Sequence, residues 1–460
     1  MTDTIAAIAT GSGVSAIGII RISGAKAIEY AASVFHAVDG TALEEAEDKR
    51  VYYGRLTGAD GELLDLCLCF VSRAPRSYTG EDTAELQCHG SPIALTGVLR
   101  ALFALGARQA EPGEFSKRAF LNGRIDITQA EAIVDLIEAE TPAAARNAAG
   151  QLNGAISSRL ERMYKDILDV MAHFHAAIDY PDEDIDEFEM QVYIYMLQDA
   201  RDELEFMLST HERGKILREG VPTAIVGRPN TGKSSLLNAL VGYDRAIVTQ
   251  TPGTTRDTIE EKIVIGGVPL RITDTAGIRK TADTVEMLGV ERSLSALRGA
   301  GLVILVLDGS QPLADEDYEI ARAIPRETPV VIAVNKSDLP PALNPGDISS
   351  LGSAPGTASC RISALTGEGV DGLCLEAAKL LPLTPAMPDG GLITNARQAG
   401  AIMRGRDALN RAIGAINASV TPDAVLADVE EALGAIGETT GKTLREDMID
   451  RIFERFCVGK

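Results

Sequence analysis

The spacing of apolar residues changes several times along the chain, and each change predicts a different kind of structure. Up to about residue 120, β-branched runs at 14–22 and 64–71 predict buried strands in a mixed α/β region. From about 128 to 213 the apolar period is helical, and it is helical again after the Pro-rich stretch 382–388. Helical sequence therefore flanks the intervening region on both sides, which predicts a helical domain with another domain inserted into it.

The inserted region alternates strands and helices. The hydrophobic runs predict strands at 223–226, 262–265, 270–273, 302–307 and 330–334. Gly266-Gly267, between the second and third of these runs, predicts a hairpin and hence one antiparallel edge on an otherwise open α/β sheet. The fold class expected is thus multidomain, α/β plus all-α. The domains expected are 1–120, 121–215, 216–382 and 383–460.

Local patterns refine the helical regions. Thr128 with Glu131 predicts a capping box that opens a helix reaching about residue 140. The acidic segment 179–189 is read as a solvated loop between helices. Near the C-terminus an apolar stripe at helical spacing predicts a buried face, made of Leu444, Met448, Ile449, Ile452, Phe453 and Phe456.

Bulk composition narrows the classes of protein. The net charge is -22, from 44 Lys and Arg against 66 Asp and Glu, which argues against a broad basic surface for nucleic acid. Six cysteines without a Cys-x-x-Cys spacing predict reduced thiols, with Cys67 and Cys69 on one face of a strand. No apolar run of membrane-spanning length and no secretory signal pattern occur in the sequence, so we expect a cytoplasmic protein.

The segment from Gly227 to Ser234 matches the phosphate-binding loop pattern in full. A predicted strand precedes it and a predicted helix follows, which is the context that such a loop requires. Its backbone N–H groups and the helix N-terminus favour phosphate oxygens. Lys233 is expected to reach the terminal phosphates, and the Ser234 hydroxyl is expected to bind Mg²⁺.

Further motifs predict that the nucleotide is GTP. Asn335-Lys336-Ser337-Asp338 follows a predicted strand, and its Asp338 carboxylate can accept two N–H bonds from guanine, where adenine would leave the carboxylate unpaired. Ser363-Ala364-Leu365 fits the loop that supports the base with a backbone N–H. Asp274-Thr275-Ala276-Gly277 fits the γ-phosphate sensor, and Gly253-Thr254-Thr255 supplies a threonine for Mg²⁺. These motifs occur in the order found in GTPases.

The catalytic position departs from Ras-like enzymes. Ile278 stands where those enzymes have a glutamine that orients water, and an isoleucine side chain cannot do this. Glu286 is an acidic candidate for the role, although by position alone it also fits a surface charge on a helix. No arginine finger is evident, and Arg256 stays open as one.

The whole chain resembles the tRNA-modifying GTPases of the MnmE (TrmE) family, one of the TrmE-Era-EngA-like GTPases. The resemblance rests on the motifs above, on the segments 21–24, 78–82 and 112–123, and on the C-terminal Cys-Val-Gly-Lys. It implies an N-terminal folate-binding-like domain, a discontinuous helical domain and an inserted Ras-like GTPase domain. It also implies a homodimer.

The resemblance implies roles for individual residues. It implies that Glu286 orients water, and that K⁺ is bound by Asn230, Thr249, Thr251 and Thr254, with Mg²⁺ at Ser234 and Thr255. A 5-formyl- or 5,10-methylene-tetrahydrofolate is implied at Arg21, Glu81, Arg124 and Lys460; Arg124 stands where lysine is common, and Lys460 also fits a frayed terminus. Cys457 fits either the modification chemistry or simple packing. The GTP contacts expected are Asn230, Thr231, Gly232, Lys233, Ser234, Ser235, Thr249, Gln250, Thr251, Pro252, Gly253, Thr254, Thr255, Asp274, Thr275, Ala276, Gly277, Asn335, Lys336, Asp338, Ser363, Ala364 and Leu365.

The activity implied is GTP hydrolysis coupled to tRNA modification. With an FAD-dependent partner, MnmG (GidA), such a protein adds an aminomethyl or carboxymethylaminomethyl group at C5 of a wobble uridine. The alternative is a ribosome-assembly GTPase of the Era or Der type, acting as a binding switch. The sequence leaves open which tRNAs and which amine donor would be used.

Overall fold

A computed structural model describes residues 3–11, 13–179, 187–243, 261–272, 297, 299–351, 357–381, 390–454 and 456–459. Its strands are β1 Ile5–Ile8, β2 Ser15–Ser23, β3 Phe35–Ala37, β4 Tyr52–Thr57, β5 Leu63–Ser72, β6 Thr83–Gly90, β7 Arg108–Gln109, β8 Val221–Val226, β9 Glu261–Ile265, β10 Val268–Ile272, β11 Leu302–Asp308, β12 Val330–Asn335 and β13 Thr357–Arg361.

The helices complete the set of elements. They are α1 Ala27–Val34, α2 Pro92–Ala104, α3 Glu114–Leu121, α4 Ile127–Ile137, α5 Pro142–Leu152, α6 Ala155–Asp179, α7 Glu187–Ser209, α8 His211–Glu219, α9 Lys233–Tyr243, α10 Asp315–Ala323, α11 Pro345–Ser350, α12 Val370–Leu380, α13 Ala396–Asn417, α14 Pro422–Thr440 and α15 Glu446–Phe453. The chain divides into two compact units. The first comprises Met1–Ile137, Gly150–Leu204 and Gly400–Lys460, and the second comprises Glu138–Ala149 and Glu205–Ala399.

The first unit contains a seven-stranded sheet in the order β3-β4-β5-β6-β2-β1-β7. Neighbouring strands are antiparallel except for the parallel pair of β1 and β7. Helices α1 and α2 cover one face, and the apolar residues that alternate along β2, β5 and β6 fill the core beneath them. Cys67, Cys69 and Cys88 belong to this core, and all six cysteines are free thiols, as the sequence predicts.

The helices of the first unit form a separate core. Helix α14 packs along α6, α15 packs on α3, and the buried residues of α15 share one hydrophobic cluster with those of α4. The predicted C-terminal stripe is confirmed for five positions, because Ile449, Phe453 and Phe456 are buried while Leu444 and Ile452 pack against them. Met448 is the exception, since 39% of it is exposed.

The helix cap predicted at Thr128 lies elsewhere. Helix α4 begins at Ile127, and the Asp126 carboxylate accepts the N–H groups of Thr128 at 2.8 Å and Gln129 at 3.0 Å. The Gln129 amide oxygen in turn accepts the N–H of Asp126 at 3.0 Å. The capping box is therefore formed by Asp126 and Gln129, two residues before the predicted pair Thr128 and Glu131.

The second unit contains the inserted sheet, in the order β13-β12-β11-β8-β10-β9. All neighbouring pairs are parallel except β9 with β10, so the predicted antiparallel edge is confirmed. Gly266 and Gly267 turn this hairpin with φ of 59° and 82°, values that favour glycine. Helices α9 and α12 cover one face of the sheet, and α10 and α11 cover the other.

Candidate functional site

The phosphate-binding loop joins the end of β8 to the start of α9. Asn230 and Gly232 have φ of 60° and 96°, so the backbone turns into the left-handed region, where N–H groups converge toward an anion. A Cβ at position 232 would lie 2.2 Å from Asn335 Nδ2, and glycine is therefore required there. Ser234 and Ser235 lie exposed in the first turn of α9, at the positive end of the helix dipole.

Lys233 is held at the mouth of this loop. Its ammonium donates to the carbonyl oxygens of Gly227 at 2.8 Å and Arg228 at 2.7 Å, and the Thr231 hydroxyl donates to the Arg228 carbonyl at 2.9 Å. Burial lowers the pKa of Lys233 below its ordinary value. These two bonds place the ammonium beside the backbone of the phosphate-binding loop, which is the position required of a lysine that binds phosphate.

Three segments distant in sequence meet at the carboxyl edge of the sheet. The Asn335 amide donates to the Thr231 carbonyl at 2.8 Å, and its oxygen accepts the Ala364 N–H at 2.8 Å. The Ser363 hydroxyl donates to the Asp338 carboxylate at 2.6 Å. Asn335 is 3% exposed, so these bonds lie in the interior and fix the phosphate loop against the predicted base loops.

Lys336 makes an ion pair that the motif did not predict. Its ammonium lies 2.6 Å from Oδ2 of Asp308, the last residue of β11. The other carboxylate oxygen accepts the hydroxyl and the N–H of Ser310. Although burial opposes the charged form, Lys336 and Ser310 lower the pKa of Asp308. This pair could not be predicted from the sequence, because its two residues lie 28 positions apart and no local spacing relates them.

The first unit brings together three of the predicted folate contacts. Arg21 on β2 pairs with Glu85 on β6 at 2.8 Å and lies over the rings of Tyr78 and Phe115. Glu81 accepts the hydroxyl of Ser23, two residues along β2 from Arg21. The Arg124 side chain is exposed, and its Cγ approaches the turn at Gly80.

A buried arginine organises this cluster. Arg118 is 1% exposed and lies on the buried stripe of α3 beside Phe115 and Ala119. Its guanidinium pairs with Glu81 at 3.0 Å, Glu114 at 2.9 Å and Asp3 at 2.8 Å. The helical spacing of these buried neighbours was the signal in the sequence that could have identified it.

The C-terminal segment lies beside the same sheet. Val458 forms a bridge with Pro112, and the Cys457 carbonyl accepts the Gly113 N–H at 3.3 Å. A Cβ at Gly459 would lie 2.3 Å from the Ile8 carbonyl oxygen on β1, so the segment contacts the strand next to β2. The Cys457 side chain is exposed, which excludes burial in a core as the reason for its presence.

The remaining predicted site residues lie outside the described part of the chain. They are Thr249, Gln250, Thr251, Pro252, Gly253, Thr254, Thr255, Asp274, Thr275, Ala276, Gly277, Glu286 and Lys460, together with Arg256, Ile278 and most of the acidic segment. Among the residues that are described, no group of three or more His, Cys, Asp or Glu could hold a metal ion. No helix among them is long and apolar enough to cross a bilayer.

Two family models match along the chain. Residues 127–457 match the family model of the MnmE helical domain, and residues 4–124 match that of the GTP-binding protein TrmE N-terminus. Proteins named tRNA modification GTPase MnmE are similar along the whole chain. The one from Symbiobacterium thermophilum is 44% identical, covering 100% of this chain and 99% of its own, and the one from Bacillus subtilis is 42% identical, covering 100% of both.

A solved structure of an Era variant from Aquifex aeolicus with GDP and AlF4⁻ is 28% identical over 40% of this chain and 65% of its own, with a TM-score of 0.26. The assignment of the family rests on the full-length relatives and on the family models. A model match over residues 127–457 and relatives above 40% identity along the whole length show that this chain belongs to the MnmE family of GTPases.

Proposed function

We propose that this GTPase modifies tRNA. With an FAD-dependent partner of the MnmG type, it adds an aminomethyl or carboxymethylaminomethyl group at C5 of the wobble uridine, with a carbon drawn from 5,10-methylene-tetrahydrofolate. The observation that carries the proposal is that one chain holds both the nucleotide loops and the cluster of Arg21, Glu81 and Arg118. An assembly GTPase of the Era or Der type would account for the loops alone, and the full-length relatives are named for tRNA modification.

Within the proposed nucleotide site, we assign the phosphates, the guanine base and the magnesium ion of GTP to different loops. Lys233 and the turned backbone at 230–232 bind the phosphates, and Asp338 accepts the N–H groups of the guanine edge. The N–H of Ala364 is engaged by Asn335, so we assign support of the base to the neighbouring Leu365, which is 84% exposed. Ser234 and Thr255 would hold Mg²⁺, with Asp274 at the γ-phosphate.

Hydrolysis needs a group that orients water in place of the glutamine, and positive charge where other GTPases use an arginine finger. We assign orientation of the attacking water to Glu286. K⁺ would be held by Asn230, Thr249, Thr251 and Thr254, and it would supply positive charge beside the phosphates as an arginine finger does in other GTPases. Asn230 is exposed at the turn of the phosphate loop, where its oxygen can take part in such a site.

The folate is assigned to the cluster in the first unit. The Glu81 carboxylate accepts from Arg118 and Ser23, and an ionised carboxylate has about four acceptor positions, so it keeps acceptor capacity for ring N–H groups. The guanidinium of Arg21 is fixed by Glu85 and by two aromatic rings. We assign Arg124 and Lys460 to the anionic end of the folate, and Cys457 to the neighbourhood of its one-carbon group.

The homodimer is assigned to the sheet face opposite α1 and α2. Cross-strand neighbours Tyr53 and Leu68 are 52% and 40% exposed, and Leu66 and Ile17 are 42% and 60% exposed. Apolar patches of this kind on a sheet mark association surfaces. We also propose that the chain consists of the domains 1–120, 121–215, 216–382 and 383–460. We propose a cytoplasmic location for the protein.

The deciding experiment is mass spectrometry of wobble nucleosides from cells that lack this protein. We expect unmodified uridine, restored by the wild-type chain and not by Lys233→Ala, because GTP binding drives the cycle. Normal modification in the deletion strain would refute the function. In a separate assay of the purified chain, K⁺ in place of Na⁺ should raise GTP turnover strongly, and equal rates in the two salts would remove the potassium assignment alone.

A further inference from the structure

The ion pair of Lys336 with Asp308 lies between the two loops that we assign to GTP. In the sheet, β11 lies between β12 and β8. The loop that carries Asp338 follows β12, and the phosphate loop follows β8. A nucleotide whose base meets Asp338 and whose phosphates meet Lys233 must therefore pass over the end of β11, which is where Asp308 lies.

The Lys336 side chain crosses this same gap. Its backbone follows β12, and its ammonium ends 2.6 Å from Asp308 at the end of β11. Adjacent strands are about 4.8 Å apart, a distance that the stem of a lysine spans. The apolar stem thus runs beneath the place where the base and ribose must lie.

Further hydrogen bonds hold the Lys336–Asp308 pair in place. Ser310 binds the second oxygen of Asp308 through its hydroxyl and its N–H, which fixes the direction of the carboxylate. The Gly309 N–H donates to the Asn335 carbonyl at 2.8 Å, and this bond joins the two loops. Lys336 itself has φ of 66°, which is unfavourable for a residue other than glycine and must be compensated by such contacts.

We propose that Asp308 is a positioning residue for guanine nucleotides: it holds the Lys336 ammonium so that the lysine stem forms a wall against the flat face of the base. The inference rests on the proposed GTP site and adds a residue outside its motifs. A free lysine stem samples many rotamers, and fixing one of them beforehand removes that entropic cost from binding. Because a wall against the face of the base does not read its edge, Asp308 should affect guanine and xanthine nucleotides alike.

The test is a double-mutant cycle with a fluorescent GDP on the full chain. Asp308→Ala should raise the Kd for GDP about tenfold, the equivalent of one hydrogen bond to a charged group. Lys336→Ala should raise it at least as much, and Asp308→Ala added to Lys336→Ala should cause no further loss. In Asp308→Ala the loss should appear in the KM for GTP and not in kcat, because the wall acts on binding.

The controls separate positioning from folding. Asp65→Asn is the matched control, because the side chains of Asp65 and Asp308 are both 11% exposed. Asp65 pairs with His89 in the other unit, so this variant should leave the Kd for GDP unchanged. If Asp308→Ala does not fold, Asp308→Asn and Ser310→Ala give smaller losses in the same cycle.

Two results would overturn the proposal: a Kd for Asp308→Ala within twofold of the wild type, or an equal fold loss with and without Lys336. Asp338→Asn distinguishes this failure from failure of the base assignment. That variant should prefer xanthosine diphosphate, and Asp308→Ala should then weaken the xanthine nucleotide by the same factor. If Asp338→Asn leaves selectivity unchanged while the Lys336 cycle holds, the base assignment fails and the positioning role stands.

Discussion

Replacing Arg118 by methionine tests whether the N-terminal cluster is held together by one buried charge. Three carboxylates, those of Asp3, Glu81 and Glu114, face the guanidiniums of Arg118 and Arg108. Methionine has a similar length and no charge, so the substitution keeps much of the packing. It leaves Glu81 with Ser23 as its remaining described partner and leaves Glu114 with Arg108.

The magnitude follows from burial. The side chains of Arg118, Glu114 and Glu81 are 1%, 6% and 16% exposed, so solvent screens their interactions weakly. Removing one partner of a buried ion pair costs about 3 to 5 kcal/mol. The Asp3 carboxylate is 46% exposed, and its pairing adds little because solvent screens it. We therefore expect Arg118→Met to lower the local unfolding free energy by about 3 kcal/mol.

Hydrogen exchange measured by mass spectrometry is the suitable assay. It resolves β2 and α3 from the rest of a multidomain chain, for which a single unfolding free energy is not defined. Exchange of these amides should be about a hundredfold faster in Arg118→Met, since about 1.4 kcal/mol corresponds to a factor of ten. Arg108→Met, whose guanidinium is 44% exposed, is the comparison variant; it leaves Glu114 paired with Arg118 and should therefore accelerate exchange less than Arg118→Met. Equal exchange in Arg118→Met and the wild type would refute the reasoning.

Three further predictions concern the acid sensitivity of this cluster, the choice of base and the hydrolysis step. The pKa of Glu114 is lowered because Arg108, the Glu111 N–H and Arg118 outweigh the opposing effect of burial. The stability that it contributes is full at neutral pH and is lost as the pH falls through its lowered pKa; protection of the α3 amides against hydrogen exchange, corrected for the intrinsic exchange rate at each pH, should therefore fall on acidification below about pH 4, and a smaller fall in wild type than in Arg118→Met would contradict this. Asp338→Asn should weaken GTP relative to xanthosine triphosphate in competition binding, and unchanged selectivity would remove the base assignment. Glu286→Ala should lose GTP hydrolysis while keeping GTP binding. Unchanged GTP turnover in this variant would show that Glu286 does not orient the attacking water.

The sequence predicted the strands with long β-branched or aliphatic runs, such as β2, β5 and β11, and it missed shorter or more polar strands, among them the buried β1 and β6. Strand β13 lies at the edge of the sheet, and its exposed and half-buried residues alternate without a hydrophobic run. The cap at Asp126 was missed because Thr128 and Glu131 offered a better pattern three residues apart, while the backbone starts the helix at Ile127. Both errors arise where tertiary context decides between local alternatives of similar energy.

The same limit applies to the site. Asn335 and Asp338 could be predicted to approach the phosphate loop, because they lie just beyond the predicted strand 330–334 and the carboxyl ends of parallel strands meet at one edge. Ser363 could be predicted there only from its motif, since the strand before it was missed. The sequence could not show which donor each acceptor takes. Only the structure shows that Asn335 binds the Ala364 N–H and that Lys336 turns to Asp308.

This division has a physical origin in the order of the strands. Motifs are read along the chain, whereas β11 separates the base loop from the phosphate loop in space and carries no GTPase motif of its own. Asp308 at its end meets the proposed site through a side chain that follows the neighbouring strand, and such a contact leaves no fixed spacing in sequence. That side chain is Lys336, and Arg118 makes the corresponding contact in the first unit, where it acts on Glu81 from a helix. Residues that position a site through one intermediate side chain therefore cannot be found from sequence motifs, and the structure is needed to identify them.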